Sequence, residues 1–240
     1  HGMKHAFFSG ILIAACLLIG FTVYAGGPLS STDGRGVIYQ ESDMPIPYSV
    51  DQGDLGIITN SDAATLVDTC FATWQAVPTA QISFINAGAL PEDVNGSNYI
   101  AYFDGADGIN PILFDSDGSI VDAFFGLGAS DSVIGFSGSD YDPDTGYYTE
   151  GLALLNGKFS GYFSYEQFKA TFVHEFGHFF GLDHCQINTS YAGDGDTAND
   201  VYLPTMFPTA TDDDTPLASL NPDDTAAITL LYPAASGIVD

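Results

Sequence analysis

Three histidines, one glutamate and two glycines fall within residues 174–184, which read H-E-F-G-H-F-F-G-L-D-H. On a helix, side chains four positions apart differ by about 40° in direction and roughly 6 Å in height, so His174 and His178 can reach one ion. Glu175, beside the first of them, faces whatever shares that ion's coordination sphere, as a base that polarises water must. Gly181 ends a helix readily by adopting positive φ, and the returning chain then offers a third nitrogen from His184. Three neutral ligands plus water make an open, catalytic type of zinc site. The competing reading is a closed structural site with a fourth protein ligand. Cys185 is the nearest such residue, but adjacent residues rarely converge on one ion. The other two histidines, His1 and His5, are remote in sequence.

Phe168, Phe172, Phe176 and Phe179 recur at helical spacing, which predicts a helix over residues 165–180 carrying the first half of this string. Before it, a strand is expected over 44–50, a helix over 61–77 with Ser61 as N-cap, and a strand over 81–86. Between 98 and 159, β-prone pieces at 99–103, 112–114, 119–125, 132–136 and 151–155 alternate with Gly- and Asp-rich turns. A polar loop over 185–202 follows the active helix. A last helix over 222–231 is capped by Asn221, with Asp223 and Asp224 at its positive end. The order implies an α+β fold: a single domain with a mixed, twisted sheet.

The chain of 240 residues has 4 basic and 31 acidic side chains, a formal charge of −27, which excludes nucleic acid as a partner by repulsion. Aspartates far outnumber glutamates, a bias that suits loops and cation sites. After Lys4, residues 6–25 are uncharged and end Val23-Tyr24-Ala25, an export signal expected to be cleaved after Ala25. An uncleaved membrane anchor and a lipobox at Ile13-Ala14-Ala15-Cys16 are the alternatives. The expected division is therefore 1–25 as an added His1-Gly2 pair plus signal, 26–36 as a short N-terminal segment, and 37–240 as one domain, monomeric and secreted, extracellular or periplasmic. Cys70 and Cys185 would be left as a disulfide pair or as buried thiols.

The string at 174–184 resembles the metzincin zinc-peptidase signature, and Leu203-Pro204-Thr205-Met206-Phe207-Pro208 is similar to the Met-turn beneath the metal in that clan. Met44-Pro45-Ile46-Pro47-Tyr48-Ser49-Val50, Phe71-Ala72-Thr73-Trp74 and Asn221-Pro222-Asp223-Asp224 through Leu231-Tyr232 are similar to matrixin segments. The resemblance covers residues 44–233. It implies a zincin-like fold with an active-site helix, a Met-turn floored by Met206 and a C-terminal helix. It also implies a zinc endopeptidase acting on proteins or peptides, with zinc on His174, His178 and His184, Glu175 activating water, and an extended substrate along an edge strand within 119–137. The matrixin pattern places a calcium-binding turn at Phe114-Asp115-Ser116-Asp117-Gly118-Ser119, with Asp115 and Asp117 as candidate ligands. Three features depart from that family: no histidine lies between His5 and His174 to hold a second zinc, Cys185 replaces the usual serine, and no cysteine lies between the export signal and the first strand as an inhibitory ligand. Asp33 would be the substitute cap on the metal. The alternative function is a secreted, metal-stabilised binding or adhesion module without catalysis.

Overall fold

A computed structural model describes residues 26–103, 107–209 and 211–235. The expected export segment, His1 and His5 lie outside them. Five strands form one sheet: β1 (Ile46–Val50), β2 (Phe84–Ala89), β3 (Pro111–Asp115), β4 (Gly135–Asp142) and β5 (Tyr147–Asn156). Their order is β2-β1-β3-β5-β4. The first four run parallel, and β4 pairs antiparallel with β5 at one edge. Helices α1 (Asn60–Gln75), α2 (Ser119–Phe125), α3 (Tyr165–Phe179) and α4 (Pro222–Leu231) complete a fold of mixed α and β elements, consistent with the expected α+β domain with a mixed sheet.

The central strands are apolar on both faces because both are covered. Ile112 and Phe114 of β3, with Ala153 and Leu155 of β5, join the core beneath α1 and α3. Their neighbours Leu113, Leu152 and Leu154 point the other way, into a second core with Ile120 and Val121 of α2. The two helices are fixed to each other by stacked rings, Phe71 on Phe176 with centroids 3.9 Å apart. Trp74 adds a hydrogen bond, its Nε1–H donating to the Val173 carbonyl at 2.8 Å. Each such ring removes roughly 150–250 Å² of surface from water, so this contact is a substantial anchor between α1 and α3.

Several sequence expectations are corrected. The β-prone pieces at 99–103 and 119–125 are helical, a 3-10 turn over Tyr99–Tyr102 and α2. In α2 the cause is Asp115, whose two carboxylate oxygens accept the N–H groups of Ile120 and Val121 at 3.0 and 2.9 Å. Gly118, at φ +82°, turns the chain into that cap. Tertiary capping overrides β propensity here. The first helix begins one residue earlier than expected and is capped by Thr59, not Ser61. Its following strand is displaced from 81–86 to β2. Residues 26–36, expected only as a short N-terminal segment, contain a small hairpin, Ser31–Thr32 with Arg35–Gly36. They also lie along the end of the active helix, with Leu29 N–H donating to Gly181 O and Asp183 N–H to Gly27 O. Among the described residues no helix is long and apolar enough to cross a membrane.

Candidate metal centre

Ser164 starts α3: its side chain accepts from the Gln167 N–H, and the Gln167 side chain accepts the Ser164 N–H in return. With Phe168, Phe172, Phe176 and Phe179 fully buried along the helix, its rotation is set and His174 and His178 meet the cleft. At its end Gly181 takes φ +104°, and a Cβ there would come within 2.7 Å of the Tyr148 ring. Only glycine fits this turn. Leu182 N–H closes it onto Gly177 O at 2.8 Å, and the chain returns with His184.

The ligand-capable nitrogens of His174, His178 and His184 lie within 4.8 Å of one another. His178 Nε2 and His184 Nε2 are 3.1 Å apart. Zinc–nitrogen bonds of about 2.0–2.1 Å in a tetrahedron separate two ligands by roughly 3.3 Å, so the spacing suits one shared ion. The second nitrogens fix the tautomers. His174 Nδ1 donates to Thr205 O and His178 Nδ1 to Leu182 O, both at 2.7 Å, which leaves each Nε2 with a lone pair for metal. Burial, and for His174 and His178 also neighbouring imidazoles, hold the rings neutral. Desolvation first and then His184 push His174 down to about 3. Desolvation alone brings His184 to about 4. His178 is likewise well below its usual range. Neutral imidazole is the form a metal requires. By donor type, spacing, tautomer and protonation, the three residues fit zinc.

Glu175 lines the same cleft and is 8% exposed. Burial pushes its carboxyl up to about 8, making it a strong base once ionised. A divalent cation close by acts the other way and favours the carboxylate. Beneath the histidines, Met206 is 1% exposed, and a Cβ on Gly177 would fall 2.2 Å from its sulfur. The expected floor is therefore in contact with the helix between the two ligands. The residues that hold this floor were missed in the sequence. Asp224, read there only as a charge at the positive end of α4, accepts N–H groups from Thr205 and Asn221 at 2.8 Å and from Met206 at 3.1 Å.

Other candidates take different roles. Asp115 spends both oxygens on α2, and Asp117 accepts the Ser119 N–H, so this geometry gives the calcium expectation no support. Asp33 is exposed at the tip of the small hairpin and does not line the cleft, which removes its assignment as a cap on the metal. Cys70 and Cys185 are buried free thiols, not a disulfide. Cys185 lies outside the ligand group, and burial followed by contact with Asp223 pushes its thiol up to about 11.

The cleft has a volume of about 640 Å³. On one side runs the start of β4, where Gly135 passes closely over the Glu175 side chain. On the other, Ala170, Phe207 and Leu217 surround a recess that also contains Asp214. Among the described residues no Lys or Arg lines the cleft.

Helix, turn and floor thus hold three imidazoles and a buried carboxylate in one open cleft, the arrangement of a zinc peptidase. A family model, peptidase family M43, described as pregnancy-associated plasma protein-A, matches residues 120–218. That stretch runs from α2 through β4, β5, α3 and all three histidines to beyond Met206. The pappalysins are a metzincin family, so match and histidine group together support a metzincin zinc peptidase, while the matrixin subtype gains no support. No curated protein matches the chain.

Proposed function

We propose that the chain is an exported, monomeric zinc endopeptidase that cleaves extracellular proteins or peptides. The observation that carries this is the convergence of three neutral imidazoles, two of them fixed in tautomer, with the desolvated Glu175 in an open cleft. When bound, zinc supplies Lewis acidity that polarises a peptide carbonyl and makes a water molecule easier to deprotonate. Glu175 then takes that proton and returns it to the departing amine nitrogen. β4, an edge strand, offers unpaired backbone groups to an extended substrate, which orients the scissile bond across α3. Of the expected stretch 119–137, only residues from Gly135 onward serve this role, because α2 occupies 119–125.

The residues beside His174 support a narrower substrate class. The recess walls are apolar, and Asp214 faces His174 as an electrostatic neighbour. Thr211 holds one Asp214 oxygen through both its N–H and hydroxyl, at 2.7 and 2.9 Å. An apolar wall with an acid beside it suits a lysine or arginine, whose stem would lie on Leu217 and Phe207 while its charge meets the carboxylate. We therefore assign a basic residue to the position after the scissile bond.

Glu175→Gln should keep stoichiometric zinc and lose at least a thousandfold in kcat/KM on quenched peptide substrates. Asp214→Asn should cut the preference for basic over neutral residues about tenfold or more. Wild-type turnover by Glu175→Gln would instead favour the non-catalytic binding module.

A further inference from the structure

The wall of the cleft opposite the Asp214 recess comes from the end of α2 and the chain leading into β4. Of the residues within 125–137 that line the cleft, none is charged, although the chain carries 31 acidic side chains. The two nearby acids are engaged elsewhere: Asp122 Oδ1 accepts the Gly128 and Ser130 N–H groups at 3.1 and 2.8 Å, and Asp131 pairs with Lys158. Those bonds pin the turn after α2. Within it Gly126 and Gly128, at φ +108° and +90°, flank Leu127, which is 97% exposed. Behind the turn the Phe125 and Phe136 rings meet edge to face at 5.1 Å, and Phe124 stacks on Phe136 at 5.5 Å. The rim is thus backed by rings, yet Phe125, Ala129 and Val133 stay half-buried and Leu127 stands in solvent. A single exposed leucine is ordinary on a surface; one placed between two cleft-lining residues, Phe125 and Ala129, extends an apolar wall.

The position of this rim along the cleft follows from β4. That strand runs beside α3 in the same sense: a Cβ on Gly135 would lie 3.4 Å from the Glu175 side chain, and Ser139 Oγ donates to Phe179 O, four residues on in each element. Residues leading into Gly135 therefore lie level with the helix before Glu175, where Ala170 and Thr171 line the cleft. Rim and recess share one end of the cleft and face each other across it. In an extended peptide successive side chains point to opposite sides, so with one residue in the recess the next meets the rim. We propose that Phe125, Leu127, Ala129 and Val133 form a subsite for a large aliphatic or aromatic side chain on the second residue after the scissile bond. The substrate so selected carries a basic residue directly after the bond and an apolar one next to it. This deepens the peptidase reading and rests on it for the direction of the chain; the apolar contact is a binding property measurable without turnover.

The test uses the zinc-loaded full chain and two quenched peptides that differ only at that position, Leu in one and Ser in the other. Wild type should show about tenfold or more higher kcat/KM for the Leu peptide, the size of effect one apolar side chain exerts in a pocket. Leu127→Ser should shrink that ratio about threefold or more, chiefly through KM, at unchanged Tm, because the side chain it replaces is almost wholly in solvent. Phe125→Ala should shrink it further, and Phe125→Leu should restore most of it. Calorimetric binding of the same peptides to zinc-loaded Glu175→Gln separates the subsite from catalysis; the Leu peptide should bind about tenfold more tightly there. Equal affinities in that variant, or a ratio that neither Leu127→Ser nor Phe125→Ala changes, would overturn the subsite. Cleavage of neither peptide by wild type, with the Leu preference in binding intact, would instead refute the peptidase reading and uphold the apolar rim.

Discussion

Gly177 shows how closely single residues set the centre. Alanine there would drive its Cβ to 2.2 Å from Met206 Sδ and 3.3 Å from the Trp74 ring. The sulfur end can yield, yet Met206 is itself buried, so overpacking should cost about 1–3 kcal/mol, partly offset by the better helix propensity of alanine. Gly177→Ala should lower Tm and weaken zinc binding, and adding Met206→Ala should recover part of the loss; strict additivity in the double variant would contradict direct contact. At this scale the sequence was most legible where function needs side chains at fixed spacing, as in His174, Glu175, His178 and His184. The carbonyls of Thr205 and Leu182, which orient two of the rings, leave no trace in residue type because any residue supplies a carbonyl. Asp214 was invisible for another reason: it is one of many aspartates and reaches the cleft only through the fold.

Among the elements, α1 and α3 could be read in advance from their apolar periodicity and α4 from its Asn221 cap, although the cap of α1 is Thr59 and not Ser61. α2 could not. Its string Ser119-Ile120-Val121-Asp122-Ala123-Phe124-Phe125 is β-prone, and what makes it helical is the buried Asp115 side chain before it. The join between α4 and the Met206 turn is of the same kind. Asp224 is 1% exposed and binds three N–H groups from two segments, so it caps α4 and positions the floor with one carboxylate. Asp224→Ala would strand those donors in the interior and should cost about 3 kcal/mol or more by denaturant unfolding. It should also speed zinc loss, because the Thr205 carbonyl that orients His174 shifts with the turn. Zinc release at the wild-type rate in a destabilised but folded variant would separate the cap from the metal centre.

For the whole molecule the dominant fact is charge, −27 over 240 residues, which leaves buried acids with few cations to meet. Glu150 is the clearest case. Burial first and then Asp107 raise its carboxyl from 4.5 to about 8. The unfolded chain ionises above about 4.5 while the folded one keeps its proton, so the stability Glu150 contributes is complete below that pH and lost as pH rises through about 8. Glu150→Gln, which cannot ionise, should match wild type near pH 4 and melt higher than wild type at pH 8; a constant Tm difference across that range would contradict the assignment. The same acidity repels polyanions and attracts basic chains, in keeping with the basic substrate proposed for the recess at Asp214. Composition revealed that electrostatic character, but not which acids the fold would bury. The most direct test of the centre is X-ray absorption at the zinc edge of the metal-loaded protein at neutral pH. One equivalent of zinc with three imidazole nitrogens, an oxygen and no sulfur is the predicted result. Failure to take up zinc, or a sulfur ligand from Cys185, would contradict a hydrolytic site built on His174, His178 and His184.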